Sequence, residues 1–405
     1  MFKLPMNYKH LYQSIYGASV FFLVVAPGSA LVAIKALLML LLFSATGVRL
    51  VSSGVAKGSL LHLLLWASFI LVWLLIGIVN NNEVDALREA AAYFSFLLFV
   101  FCFIVGLQWV SRNVLIKVLV AGALCYGALK FGILLAVILG FINPVDLYWW
   151  LQDVASGIVM SGFWSGGIPR ITMANDYVLP LILLMMLIEY AKQEISGWFF
   201  WISLTIIFML IAITLSRYLY LFSALILCVF LILNFLKHRV FKIGVFVLLA
   251  GLIVVPVMLV EMGYAERLSS RFEGEDAASS DITKADQVSP LIDMIDSSKV
   301  IGHGFGLSMV KAGRGNKTSF QAELQWFSLT AKVGFVGLGI IFSALALYSA
   351  NLLFYVLDFR IKILLATAWL LWLLAGFFNP VMLLATTSVN YLIFYAASLT
   401  GKPKI

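Results

Sequence analysis

Long apolar runs separated by short polar breaks follow one another through almost the whole chain. A helix of roughly 20 apolar residues crosses a hydrocarbon core about 30 Å thick, and the runs have that length. Read between their breaks, they predict spans near residues 11–27, 30–48, 60–79, 89–109, 114–140, 172–188, 197–214, 217–236, 241–261, 324–350, 361–378 and 381–399. The pattern therefore predicts an all-α polytopic membrane protein with about 12 transmembrane helices, forming a single transmembrane domain over residues 1–405. The exception is residues 262–322, a polar stretch between the ninth and tenth predicted helices. At about 60 residues it is too short for much core of its own, so it is expected to lie on the bundle as a cap. Within it, the apolar spacing of Pro290-Leu291-Ile292-Asp293-Met294-Ile295-Asp296 predicts a short amphipathic helix. Glu273 to Asp281 is polar and expected to be mobile.

Composition agrees with a bilayer as solvent: 63% of residues are hydrophobic, 11% are charged, and the mean hydropathy is +1.06. The net charge of +8 would suggest nucleic acid for a soluble chain. Here its distribution reads as topology instead, and no nucleic-acid partner is expected. With both termini inside, the cytoplasmic segments hold Lys3, Lys9, Arg49, Lys57, Arg112, Lys117, Lys192, Lys237, Arg239, Lys242, Arg360, Lys362, Lys402 and Lys404. All nineteen acids except Glu189, Glu194 and Asp358 fall on the other side. Residues 80–88, 141–171 and 262–322 are then expected to face the periplasm. Lys3 and Lys9 ahead of an apolar run also resemble the start of a signal peptide, but Pro27 interrupts the small-residue stretch that follows, so a short turn is expected there. Cys102, Cys125 and Cys228 lie inside apolar spans and read as buried thiols.

Charges at span edges are the informative exceptions, because a charge in lipid is costly and usually faces a cavity. Arg217 sits between two predicted spans in Thr214-Leu215-Ser216-Arg217-Tyr218. Arg170 ends Gly166-Gly167-Ile168-Pro169-Arg170, and Arg267 and Arg271 share a helical spacing at the start of the long loop. Glu323 closes that loop. Guanidinium groups present planar paired donors that suit phosphate oxygens, so the cluster points to a pyrophosphate-linked lipid. Each residue also has a plainer reading: outer-edge arginines anchor head groups, and Glu323 can stabilise a helix N-terminus. His303, in Gly302-His303-Gly304-Phe305-Gly306, reads first as a turn residue and second as a substrate contact. Trp149 and Trp164 suit either an interfacial belt or the face of a sugar. Lys35, Lys130 and Lys332 lie in or near spans, where they snorkel or line a cavity. No His, Cys or Asp spacing fits a metal site, and the glycine-rich stretches lack the context of a nucleotide loop.

Taken in order, four segments resemble the O-antigen polymerase and O-antigen ligase superfamily of bacterial surface-polysaccharide glycosyltransferases. They are Pro169-Arg170-Ile171-Thr172 with Asn175; Thr214-Leu215-Ser216-Arg217; Arg267 and Arg271; and Ile301-Gly302-His303-Gly304-Phe305-Gly306 followed by Glu323-Leu324 and Gly334-Phe335-Val336-Gly337. The resemblance implies a metal-independent, cofactor-free glycosyltransferase of the GT-C type in the bacterial inner membrane, its site facing the periplasm. Its implied substrates are undecaprenyl-pyrophosphate-linked oligosaccharides as donor and acceptor, with a chain-length regulator as a possible partner. It assigns Arg217, Arg271 and Glu323 to catalysis, and Arg170, Arg267, His303, Trp149 and Trp164 to substrate binding. The ligase branch is expected to carry a histidine where this chain has Glu323, a departure that favours the polymerase branch. The remaining alternatives are a ligase that transfers glycan to lipid A-core and, from another class, a flippase or other transporter, for which paired halves and broken-helix sites would be the signature.

Overall fold

A computed structural model describes residues 6–26, 30–53, 56–154, 159–161, 170–214, 216–234, 275–309, 322, 324–354, 356–379 and 381–399. The helices are α1 (Met6–Val25), α2 (Val32–Ser53), α3 (Ala56–Asn80), α4 (Glu83–Gly106), α5 (Arg112–Ile138), α6 (Pro144–Val154), α7 (Leu179–Ala191), α8 (Gly197–Ile213), α9 (Arg217–Asn234), α10 (Glu275–Ser297), α11 (Gln325–Phe354), α12 (Phe359–Ala375) and α13 (Ser388–Ser398). Two three-residue strands, β1 (Val159–Ser161) and β2 (Arg170–Thr172), pair antiparallel with Ser161 opposite Arg170. Otherwise the described chain is helical apart from its turns, and it is that of an integral membrane protein. Among the described residues, six stretches are long and apolar enough to cross a membrane: 32–52, 60–80, 83–109, 112–138, 174–191 and 325–354.

Every span expected from the sequence contains a helix except 241–261, which lies outside the described residues. The ends differ from expectation where local chemistry competes. The sixth expected span begins with β2 and a 3-10 turn, Ala174–Val178, before α7 starts with Pro180 in its first turn, where a missing amide hydrogen costs nothing. Asn82 starts α4 by accepting from Val84 N and Asp85 N, with Glu83 and Asp85 favourably placed at the positive end of the helix.

Burial follows each helix's position in the bundle. Leu37, Leu40, Leu64, Leu65 and Leu75 are more than half exposed on α2 and α3, faces suited to hydrocarbon. In α7, apolar all round, residues 179–189 are buried among neighbouring helices. Cys102 is buried as expected, whereas Cys125 and Cys228 are exposed.

The strands, the 3-10 turn Ala174–Val178 and the glycine segment lie toward one end of the bundle. Helix α11 is not continuous: at Gly334 the backbone turns to φ 63° and ψ −176°. Such a break frees backbone groups on both sides, and residues 299–304 thread through it to satisfy them. His303 N and Gly304 N donate to Ala331 O and Lys332 O at 3.1 and 2.8 Å, while Phe335 N and Val336 N donate back to Lys299 O and Val300 O at 2.9 and 3.1 Å. Helix α10 leads into this segment and packs Leu291 against Met309, Ala322, Leu324 and Ala331. It starts at Glu275, so the stretch from Glu273 to Asp281, expected to be mobile, is helical over its described part, and the short helix expected at Pro290–Asp296 is the last part of a longer one.

Glycine is required in the threaded segment because backbone packs on backbone. Gly304 has φ +83°, and a Cβ there would lie 2.1 Å from Gly77 N of α3. Gly304→Ala is therefore expected to lower stability by at least the ~1–3 kcal/mol of an unfavourable left-handed residue. Gly339→Ala, where a Cβ meets nothing within 4 Å in mid-helix, is expected to match or exceed parental stability. Thermal unfolding of the detergent-solubilised protein checks both.

Candidate functional site

Arg217 is the first residue of α9 and half-buried. Its turn is built by its own hydroxyl residues: Thr214 Oγ1 donates to Ile211 O (2.7 Å) and accepts from Ser216 N (3.3 Å). Thr172 Oγ1 of β2 donates to Thr214 O (3.2 Å), which places the Arg170–Thr172 strand beside the Arg217 turn. On the other side, Tyr218 OH donates to Leu371 O of α12. Two residues further along α12, Leu373 O accepts from Trp326 Nε1 (3.1 Å), and Gly376 O accepts from Trp326 N (3.1 Å). One end of α12 thus ties the start of α9 to the start of α11.

Of the expected site residues, Glu323, Arg267, Arg271 and Trp164 lie outside the described residues. Ala322 and Leu324, either side of Glu323 in sequence, are buried. Arg170 is placed by its backbone at the start of β2. Trp149 is exposed on α6 together with Trp150, while Leu147 of the same helix turns inward. His303 is half-buried and occupied within its own loop: its Nε2 lies 3.0 Å from Met294 O and 2.9 Å from Ser297 Oγ. A carbonyl only accepts, so Nε2 carries the proton and closes the end of α10.

The glycine motif is fully engaged by the protein. From Gly302 to Gly306 the amides donate in turn to Ser298 O, Ala331 O, Lys332 O, Trp73 O and Glu89 Oε2. Asn81 Nδ2 meets the carbonyls of His303 and Phe305 at 2.8 and 3.0 Å, and Trp73 Nε1 meets Ile301 O at 2.9 Å. Trp73, Gly77 and Asn81 form one stripe along α3 that receives the motif. With its amides spent in this way, the motif is a connector between helices.

Two buried ion pairs, neither anticipated as a pair, hold this end together. Lys130 Nζ of α5 meets both oxygens of Asp176 at 2.8 and 2.9 Å; Tyr126 OH adds a bond to Oδ1 (2.7 Å), and Met173 N one to Oδ2 (2.8 Å). Lys332 Nζ of α11 meets Glu89 Oε1 at 2.5 Å, Tyr93 OH donates to the same oxygen (2.9 Å), and Gly306 N donates to Oε2 (2.8 Å). Each carboxylate therefore takes a lysine, a tyrosine hydroxyl and one backbone amide from an irregular segment. Lys130 and Lys332, expected to snorkel or line a cavity, are paired inside the bundle. A carboxylate within an apolar run, with a lysine elsewhere in another run, was the available signal in the sequence; it does not say which lysine answers which acid. Asn175 Nδ2 adds a third tie at this end, bonding Leu23 O and Val24 O of α1 at 2.9 and 2.7 Å.

Among the described residues no cluster of His, Cys, Asp or Glu could hold a metal ion. What remains is a guanidinium at the head of α9, beside the strand that bears Arg170 and tied through α12 to the start of α11. Residues 200–342 match the model of the O-antigen ligase family. That match supports the resemblance to the superfamily of O-antigen ligases and polymerases, and it spans Arg217, the glycine motif and Lys332. No curated protein matches the chain.

Removing one partner of a buried pair strands the other charge, at a cost of about 3–5 kcal/mol. Asp176→Asn is expected to lose stability on that scale, whereas Arg88→Gln, which removes an exposed contact to Asp85 at 3.9 Å, should change it by less than about 1 kcal/mol. Parallel thermal melts in one detergent make the comparison.

Proposed function

We propose that the protein is a polysaccharide polymerase of the inner membrane, transferring an undecaprenyl-pyrophosphate-linked oligosaccharide onto a sugar hydroxyl of a second lipid-linked repeat unit. The observation that carries this reading is the match over residues 200–342, which includes Arg217 and position 323, together with the fold's attachment of the starts of α9 and α11 to the same end of α12. Glu323 in place of the histidine expected of the ligase branch favours the polymerase.

In the proposed step the acceptor hydroxyl oxygen forms a bond to the anomeric carbon of the donor, and the bond from that carbon to the pyrophosphate oxygen breaks. Lipid pyrophosphate leaves with the electron pair, and the acceptor's proton passes to Glu323 as general base. Charge builds on the leaving oxygens, and guanidinium groups fixed in advance stabilise it most where water is scarce. Arg217 has this role, with Arg271 or Arg267 and with Arg170. Trp149 and Trp164 would contact the glycan, while His303 is held by Met294 and Ser297 within its own loop. No step requires a metal or a cofactor.

The proposed topology has about 12 spans with both termini in the cytoplasm and the Arg217 end in the periplasm. Its support is the segregation of charge. Arg49, stacked 6.0 Å from the Trp109 ring, and Arg112, paired with Glu189, lie at the end of the bundle opposite Arg217. A chain-length regulator would then act on the periplasmic face.

The break in α11 is the one feature that favours a transporter, since broken helices often line transport sites. Here the freed groups flanking Gly334 are bonded to residues 299–304 of the chain itself, which removes the usual reason to place a ligand there.

Deleting the gene separates the readings on a surface-polysaccharide gel. Core capped with a single repeat unit is the expected result; uncapped core with accumulated lipid-linked polymer would instead indicate a ligase, and loss of periplasmic repeat units a flippase. Arg217→Ala in the purified protein is expected to slow transfer by about 10²-fold or more. Transfer at the parental rate would remove Arg217 from the mechanism.

A further inference from the structure

We propose that Glu89 and Lys332 are positioning residues for the transfer reaction: their buried ion pair fixes the helical segment Gln325–Val333, which Trp326 ties to the end of α12 that also holds the start of α9 and its Arg217. This role rests on the proposed function, and neither side chain is assigned contact with substrate.

The break at Gly334 leaves Gln325–Val333 as a short helix separated from the remainder of α11, and short helices owe their position to tertiary ties. At the start of the segment, Trp326 bonds Gly376 O and Leu373 O, and Gln325 Oε1 accepts from Met382 N at 2.8 Å. At its end, Lys332 reaches Glu89 and the last carbonyls are capped by His303 N and Gly304 N. Glu89 therefore joins three parts of the chain: α4 on which it stands, the glycine segment through Gly306 N, and the segment that follows Glu323.

The chemistry requires a carboxylate at this position. Three donors converge on it: Lys332 Nζ and Tyr93 OH on Oε1, and Gly306 N on Oε2. Both oxygens must accept, which an amide cannot do, because its nitrogen would face a donor. The relative exposures of Glu89 and Lys332 are 3% and 2%, so the pair acts from inside the bundle and reaches the reaction through the backbone it holds. An ion pair so placed is a weak source of stability against an apolar equivalent, and the proposed role of this one is to hold a single geometry. Displacing a reacting group by about 1 Å can cost 10²-fold in rate.

The test uses full-length protein in nanodiscs, with an undecaprenyl-pyrophosphate-linked oligosaccharide as donor and acceptor, and reads kcat and KM per folded molecule beside the melting temperature. Glu89→Gln is expected to lower kcat by about 10- to 10²-fold with KM within about twofold of parental. Lys332→Arg, which keeps the charge, should recover most of the rate. If Glu89→Gln fails to fold, Glu89→Asp keeps the charge but withdraws it by one methylene, and the same split, kcat lowered and KM kept, is expected. A melting temperature that falls while kcat per folded molecule stays parental would overturn the positioning role and leave the proposed function standing. Parental protein that transfers no sugar between these lipid-linked oligosaccharides would overturn the proposed function and this role with it.

Discussion

A carboxylate inside an apolar bundle is tolerated only when other donors replace the water it has lost, and the Arg217 end of this protein is organised around two that are. Glu89 and Asp176 sit on different elements, yet each collects a lysine, a tyrosine hydroxyl and a backbone amide. The lysine and tyrosine come from helices, or from the carboxylate's own helix in the case of Tyr93. The amide comes from a segment that is not helical: Met173 beside the Arg170 strand, and Gly306 in the glycine motif. Helices alone would leave the intervening chain free at this end. The clamps fasten it to the bundle without exposing a charge to lipid.

The same economy of backbone groups explains the glycine motif. Breaking α11 at Gly334 would leave carbonyls and amides stranded within the bundle. The segment from Lys299 to Gly304 accepts from one side of the break and donates to the other. Because its own backbone must touch the backbone of α3, α4 and α11, side chains are excluded at alternate positions, and Gly302, Gly304 and Gly306 all take positive φ. A motif that looks like a ligand loop is thus a splice between helices, and what it places is the start of α11.

The parts of this architecture legible in the sequence were those governed by length and period. Apolar runs located the helices, and the short hydroxyl-rich turn at Thr214–Arg217 marked where two of them meet. The clamps were not legible, because pairing depends on depth and rotation: Lys130 and Lys332 carry no local sign of their partners, 46 and 243 residues away. The length of α10 escaped a reading based on apolar spacing, since its first half is polar and the apolar residues around Leu291, which pack on α11, come late in it. The exposed Cys125 and Cys228 escaped for a related reason: in a membrane protein, an apolar stretch does not tell an inward face from one turned to lipid. Arg217 was singled out from its unusual place between two apolar runs, and the fold has it at a helix start beside Thr172 and Tyr218.

In the proposed transfer reaction this arrangement would have a clear purpose. Guanidinium groups contribute most when they need not move as charge develops, and a bundle end held by buried ion pairs moves little. Amide-resolved hydrogen exchange of the parental protein in nanodiscs measures that rigidity where the account locates it, at Met173 N and Gly306 N. Both amides should exchange as slowly as those of the buried helix α7, opening only with global unfolding. Exchange at the rate of an exposed loop, with α7 still protected, would mean that the carboxylates do not hold these segments, and the account built on them would fail.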